Sequence, residues 1–394
     1  MTVHDLPGAE NLPLIAVRNR FARWLFDDAL PFWASTGCDG TPQNPAALGA
    51  QECLTLQGTP ALPPYKRVRV QARQLFVFSW AALKGWQPAA QRAESLFRFL
   101  LNAHRPDGGW VKLLARDGAV LDDSADLYDI AFVLFALAWY GRVERTGRAV
   151  ELARQTLAWL GPAMALPNGG FMNALPADGA WRQQNPHMHL LEAVLALHET
   201  TGDAADLAQA HALYALFSQY FMDERTGTLG EYFGPDWQPA TGPEGQWCEP
   251  GHHFEWVWLL QAYARQSGVD TTVQAARLYH FVHQYGVDTQ TALVCDAVAR
   301  NGQVLKPTFR LWVQGEALRG ALCHDPQDQA GWATRMATNL LDRYFTGCPT
   351  GTWLDQLDAQ GVPAVTQIPS SSLYHIVTAY DALDQAARAY VPPA

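Results

Sequence analysis

The sequence predicts an all-α protein, an (α/α)6 barrel of six helical hairpins with short β-hairpins at one mouth. Twelve amphipathic stretches follow one another, near 14–33, 66–85, 89–104, 125–143, 148–160, 186–201, 205–223, 252–267, 271–285, 312–324, 328–346 and 372–390. The connections between alternate stretches resemble one another. The first and last stretches both carry broad apolar faces (Leu14, Val17, Phe21, Trp24 and Leu25; Leu373, Ile376, Val377, Tyr380 and Leu383). An open array of helix pairs needs polar ends, so two apolar ends predict a closed ring.

The repeat is written in the connections. Gly109-Trp110 opens GGWVKLLARDGAV, Gly170-Phe171 opens GGFMNALPADGAW, Gly227 opens GTLGEYFGPDW, Thr291 opens TALVCDAVARNGQV and Gly351 opens GTWLDQLDAQGVP. Each has a small residue, a short alternating run and then a turn of the D-G or N-G kind, which predicts a tight hairpin. With Gly109, Gly170, Thr228, Ala292 and Thr352 as registers, the steps are 61, 58, 64 and 60 residues, each holding two helices. The Gly37 to Gly49 segment is expected to be a degenerate first connection. No Pro/Gly/Ser-rich linker divides the chain, so residues 1–394 are expected to form one domain.

Composition narrows the partners. Hydrophobic residues are 48% and charged residues 17%, enough for a large core, and the net charge of −10 leaves no basic surplus for nucleic acid or an anionic membrane. Met1 to Asn11 has no apolar run of the secretory kind, and the apolar stretch Ile130 to Tyr140 is too short to span a bilayer. Six scattered cysteines without a C-x-x-C pair predict reduced thiols and a cytoplasmic protein. A small flat or ring-shaped molecule is the expected partner, with a homodimer left open. The 15 Trp, 13 Tyr and 17 Phe suit a pocket that stacks on a ring, although core filling accounts for most of them.

Three helix starts carry the chemistry. Asn185-Pro186-His187-Met188-His189-Leu190-Leu191-Glu192 places a capping Asn before a Pro at the first helical position, with His189 and Glu192 three apart. Glu249-Pro250-Gly251-His252-His253-Phe254-Glu255 places His252 and Glu255 three apart, on one helical face. Tyr374-His375 begins the last helix. One such imidazole is ordinarily a satisfied cap; three facing one mouth suggest proton transfer, since histidine exchanges a proton near neutral pH. Arg73, flanked by apolar residues, must either find a buried partner or point into a pocket and bind oxygen atoms. Asp126 reads as an N-cap and Tyr128 as a pocket hydrogen-bonding group. Trp110, Trp312 and Trp353 are candidates for stacking on a sugar face. A metal competes for the His/Glu pairs, but di-iron bundles use the Glu-x-x-His order, here reversed, and the expectation is no metal. No dinucleotide fingerprint, P-loop, G-x-S-x-G or H-E-x-x-H is present.

The stretches QARQLFVFSW (71–80), GGW with DLYDIAFVLFALA (108–138), NPHMHLLEA (185–193), PGHHFEWVWLL (250–260), RLWVQGEAL (310–318), GTWLDQLDAQG (351–361) and YH (374–375) together resemble the N-acylglucosamine 2-epimerase superfamily. That superfamily includes cellobiose 2-epimerases and mannose-type aldose–ketose isomerases. The resemblance implies an (α/α)6 barrel and cofactor-free proton transfer at C2 of an aldose. It implies that His252 and His375 are the acid/base pair and that Arg73 binds substrate oxygens near the reacting carbons. Tyr128 and His189 would hold hydroxyls, Glu192 and Glu255 would support the histidines, and Trp312 and Trp353 would wall the pocket. The doubled histidines depart from the pattern; helical spacing favours His189 over His187 and His252 over His253.

The expected reaction runs through an enediolate, with its charge held by Arg73, and ends in the 2-epimer or the ketose according to which carbon is reprotonated. With no Lys/Arg cluster to mark a phosphate pocket, the expected substrate is an unphosphorylated hexose or an N-acyl amino sugar. The rivals are a glycoside hydrolase on a similar toroid, which needs two carboxylates across the cleft, and a non-catalytic sugar-binding protein.

Overall fold

The computed structural model describes residues 13–39 and 49–389. The expectations for Met1 to Asn11, and for most of the Gly37 to Gly49 connection, lie outside the described residues.

Twelve helices are present among the described residues. Helix α1 runs Pro13–Arg23 and continues through a π-helical segment, Trp24–Ala29, into Leu30–Ser35. It is followed by α2 (Val68–Leu83), α3 (Ala89–Leu100), α4 (Leu127–Tyr140), α5 (Arg148–Met164) and α6 (Gln184–Thr201). The second half holds α7 (Ala204–Leu216), α8 (Pro250–Ser267), α9 (Thr272–Tyr285), α10 (Leu311–His324), α11 (Trp332–Asn339) and α12 (Leu373–Ala389). The even-numbered helices pack side by side in an inner ring, α2–α4–α6–α8–α10–α12 and back to α2, and the odd-numbered helices cover them. An inner helix touches neighbours all round, which is why α4 reads LYDIAFVLFALAWY with scarcely a polar face, whereas outer α3 buries only one stripe, including Ala93, Leu96, Phe97 and Leu100.

The ring closes on the apolar ends. Helix α1 packs on α12, where Phe21 meets Tyr380 edge to face at 5.6 Å and Arg18 donates to Asp384 at 2.8 Å. Where α8 and α10 meet, Gly320 is required: a Cβ there would come within 2.6 Å of the Phe254 ring. Among the described residues no helix is long and apolar enough to cross a membrane, and the six cysteines are free thiols.

The strands obey a rule the sequence did not announce. Of the five predicted hairpins, Leu113–Ala115 with Val120–Asp122 and Ala297–Ala299 with Val304–Lys306 are self-contained. The Gly227 and Gly351 connections close on single bridges, Phe233 with Pro239 and Leu357 with Pro363, and the Gly170 connection forms no internal ladder among the described residues. In addition, each strand leading into an inner helix pairs with the connection of the next repeat. Tyr65–Arg67 pairs with Leu113–Ala115, Ala125–Asp126 with Ala174–Leu175, and Arg182–Gln183 with Tyr232–Phe233. Trp247–Cys248 pairs with Ala297–Ala299, Phe309–Arg310 with Gln356–Leu357, and finally Ile368–Pro369 with Cys53–Leu54. Two- and three-residue strands cannot satisfy their backbone groups alone, so each takes its partner from the adjacent repeat. This belt fixes the N-terminal ends of the inner helices at one mouth.

One cap differs from expectation. Helix α6 starts at Gln184, two residues before Pro186, with Gln183 in extended conformation ahead of it; Asn185 lies inside the first turn and does not cap. Asp126 does cap α4, accepting from the Tyr128 and Asp129 amides at 3.0 and 3.2 Å.

Candidate active site

His252 and His375 are each the third residue of an inner helix, α8 and α12. Each ring is oriented through Nδ1 by a carboxylate: His252 by Glu231 at 2.9 Å, His375 by Glu316 at 2.7 Å. With Nδ1 so engaged, Nε2 is the nitrogen left to exchange a proton. Both imidazoles lie against one indole, that of Trp312, at centroid separations of 5.2 and 5.5 Å. Gly251 makes this possible, since a Cβ there would sit 2.5 Å from the Trp312 ring. The two histidines are nearly buried, 6% and 5% exposed.

Arg73 projects from the sixth position of α2 and donates to the Tyr128 hydroxyl at 2.8 Å. Its guanidinium lies 4.0 Å from the centroid of Phe132 and 5.2 Å from that of Tyr374, and its Nε has no protein partner. A buried guanidinium without a carboxylate bonded to it has donors to spare for substrate oxygens. His189 packs on Phe132 and Tyr128 at 4.5 and 5.2 Å, with Nδ1 held by Glu192 at 3.1 Å. The Tyr374 hydroxyl donates to the same Glu192 oxygen at 2.6 Å. Beneath, Arg319 donates to Glu316 at 2.6 Å and stands 3.8 Å from Glu192.

Two expectations need correction, and two functional carboxylates are additional. Glu255 does not hold His252. Its nearest imidazole is His189, at 3.8 Å, and neither of its oxygens has a hydrogen-bond partner. His252 turns instead to Glu231, on the connection before α8. Glu231 and Glu316, which orient the pair, were both missed; a carboxylate within the apolar run RLWVQGEAL is the signal that marked Glu316. Trp353 is not a pocket wall: it is fully buried and stacked on Trp33 at 4.7 Å.

The doubled histidines separate cleanly. His187 accepts from the Phe171 amide at 2.9 Å and bonds the Gln183 carbonyl through Nδ1 at 2.9 Å. His253 does the same with the Leu229 amide and the Glu249 carbonyl, both at 2.9 Å. Both imidazoles are engaged by backbone at each nitrogen, and burial pushes them down to about 4 and about 3.

The electrostatics set the two mouth histidines apart. Burial lowers His252, but the Glu231 carboxylate and, behind it, Glu249 together outweigh that effect and the net shift is upward. Burial, with Arg73 and His189 beside it, holds His375 well below the ordinary range. One imidazole therefore favours its charged form and the other its neutral form, an arrangement suited to an acid and a base. Two trios of donors, His189–Glu192–Glu255 and Glu255–Glu316–His375, are compact enough to hold an ion. Arg319 already supplies a positive charge among these glutamates.

A ring of helical hairpins whose mouth gathers paired imidazoles, a guanidinium and aromatic faces defines a sugar epimerase or isomerase. The profile of the N-acylglucosamine 2-epimerase (GlcNAc 2-epimerase) family matches residues 49–379, and the chain belongs to that family. It is 33% identical to a mannose-6-phosphate isomerase of Rhizobium meliloti (strain 1021), over 91% of this chain and 94% of that protein. It is 31% identical to a D-mannose isomerase of Thermobifida fusca, over 52% of this chain and 54% of that one. The cellobiose 2-epimerase of Spirochaeta thermophila DSM 6192 superposes with a TM-score of 0.85 at 23% identity, covering 98% of this chain and 100% of that one, which establishes the shared (α/α)6 fold.

Proposed function

We propose that this enzyme interconverts mannose and its 2-ketose by proton transfer between C2 and C1, with C2 epimerisation as the alternative outcome of the same intermediate. The observation that carries this reading is the pair His252 and His375, each held by its own carboxylate and both against Trp312. With the sugar opened, His375, favoured neutral, takes the C2 proton on Nε2. The resulting enediolate is stabilised by Arg73, and Tyr128 and His189 bind neighbouring hydroxyls. His252, favoured charged, returns a proton at C1 to give the ketose, or at C2 from the opposite face to give the epimer.

Mouth electrostatics favour an unphosphorylated hexose, although one relative is named for a phosphosugar. Arg67 is paired with Glu52, Arg69 with Asp129, Lys112 with Asp126, and Arg310 with Glu249 and Asp296. These four cations are compensated, and Arg73, the mouth guanidinium without a carboxylate, is taken up by the reacting end of the sugar. The hydrolase reading is weaker because Glu192, Glu231 and Glu316 each orient an imidazole.

The test is incubation with mannose, mannose 6-phosphate, glucose, N-acetylmannosamine and cellobiose in D2O, followed by NMR of the recovered sugars. Deuterated ketose from mannose supports the proposal. Faster turnover of the 6-phosphate overturns the substrate class, and cleavage of cellobiose overturns the reaction class.

A further inference from the structure

At the end of the barrel opposite the histidines, a cavity of about 420 Å³ is lined by all six inner helices. Its floor is a single layer, the ninth residue of each helix in turn: Phe76, Phe135, Glu192, Trp258, Arg319 and Asp381. One turn further out, Trp80, Trp139, Ala196, Ala262 and Gln385 form the walls. The volume falls within the range of small-molecule sites. Three polar atoms of lining residues are buried without a hydrogen-bond partner: Glu192 Oε1, Arg319 Nε and Trp139 Nε1. Glu192 and Arg319 are 5% and 1% exposed. These atoms have no surface of their own in the chamber, so a small rotation of the lining side chains is what offers them to a ligand hydroxyl.

We propose that this chamber is a second binding site, for a neutral monosaccharide or polyol, linked to the catalytic mouth through Glu192 and Arg319. Charge selects the ligand. Glu192, Glu199 and Asp381 line the chamber together with Arg265 and Arg319, and Asp381 and Glu199 are paired with Lys84 and Arg142, so its charges are compensated and no free charge is offered to an ionic ligand. The tryptophans already carry the protein's own cations: Lys84 over Trp80 at 5.5 Å, Arg142 over Trp139 at 4.7 Å and Arg319 over Trp258 at 4.0 Å. An organic cation therefore finds its aromatic partners in use. What remains suits a neutral molecule with apolar C–H faces for the rings and hydroxyls for the orphaned carboxylate, guanidinium and indole groups.

The link to the mouth is short. The other oxygen of Glu192 holds His189 and Tyr374. Arg319 bonds one oxygen of Glu316, whose other oxygen holds His375. A hydroxyl bonded to Glu192 or Arg319 changes the charge that these groups present to both imidazoles.

The probe is 1,5-anhydro-D-mannitol, which cannot open and is never turned over, so binding is read whether or not mannose is the substrate. Saturation-transfer NMR is run on Arg73→Ala, which disables the mouth, and on Arg73→Ala combined with Ala382→Phe, which fills the chamber. Arg73→Ala is expected to keep at least half of the wild-type signal, and the combined variant to lose it. Loss of the signal in Arg73→Ala alone, or its persistence in the combined variant, overturns the proposal. If Ala382→Phe does not fold, Ala262→Phe fills the chamber from another helix. A crystal of the wild-type chain soaked in the same compound must show it against Trp258; density at the mouth only, or none, overturns the proposal.

Discussion

Glu231 holds the Nδ1 of His252 at 2.9 Å, although 21 residues and a turn of chain separate them. Glu231 is itself pinned, its oxygens accepting from the Gln184 side chain at 2.9 Å and the Glu249 amide at 3.3 Å. The carboxylate is therefore fixed before the imidazole meets it, so it orients the ring and favours its charged form at once.

Replacing Glu231 with Gln keeps the shape and removes the charge. The variant's His252 then loses its proton at lower pH. The alkaline limb of kcat/KM is expected to move down by about one pH unit, and kcat at pH 7 to fall by roughly 10- to 100-fold. The stability sign follows from a raised imidazole. The pair's contribution is fully present below the unfolded value of ~6.5 and disappears as pH rises through the higher folded value. The melting-temperature gap between wild type and variant should thus be widest below ~6.5 and narrow above it. An unmoved alkaline limb would show that Glu231 does not tune His252.

His252→Asn and His375→Asn should each lower kcat by about 10²- to 10⁴-fold while melting stays within a few degrees of wild type. The double variant should be little worse than the singles, because the two groups act on one intermediate. A single variant retaining more than a tenth of wild-type turnover would remove that residue from the mechanism. Prolonged dialysis against EDTA should leave the wild-type rate unchanged. Loss of activity restored by a divalent cation would place an ion among His189, Glu192, Glu255, Glu316 and His375.

The helices were legible because twelve amphipathic periods and a repeating connection leave few alternatives. Strand pairing was not, because a two-residue strand carries no register of its own and takes its partner from the neighbouring repeat. The mouth shows the same division. His189 and Glu192 are joined within one helix, so their spacing carried the contact. His252 and Glu231 are joined across a connection, and the equivalent spacing to Glu255 misled. The doubled histidines share a device that is visible only in three dimensions: Gln71, His187, His253 and Gln314 are each the fourth residue of an inner helix, and each bonds the backbone of the connection before it or of a neighbouring one. Two of the four sites happen to use imidazole where the others use an amide.

From this follows a test on His187 and His253. Replacing either with Ala leaves an amide without an acceptor, the half-buried one of Phe171 or the buried one of Leu229, at a cost of about 1–3 kcal/mol that is larger at Leu229. Melting should fall by several degrees, with kcat per folded enzyme nearly unchanged. A depressed imidazole contributes stability that is present above the unfolded ~6.5 and lost as pH falls through the folded values of about 4 and about 3. Wild type should therefore lose stability more steeply than either variant between pH 6.5 and 4. A drop in turnover without a drop in melting would move that histidine into the catalytic group.

Glu255 is the harder residue to explain, since it is 2% exposed and neither oxygen has a partner. Burial, followed by the charges of Glu316 and Glu192, raises its carboxyl well above the usual range and so favours its neutral form. A carboxyl raised on folding favours the folded state fully only below its unfolded value of ~4.3, and that contribution is lost as pH rises. Gln mimics the neutral acid and does not ionise in the unfolded chain, so Glu255→Gln escapes this loss. The variant should melt at or above the wild-type temperature at pH 8, and its advantage should shrink towards pH 4–5. Calorimetry at the two pH values decides the matter. A variant several degrees less stable at pH 8 would mean that Glu255 is ionised in the folded chain, with Arg319 or an unseen cation as its counter-charge.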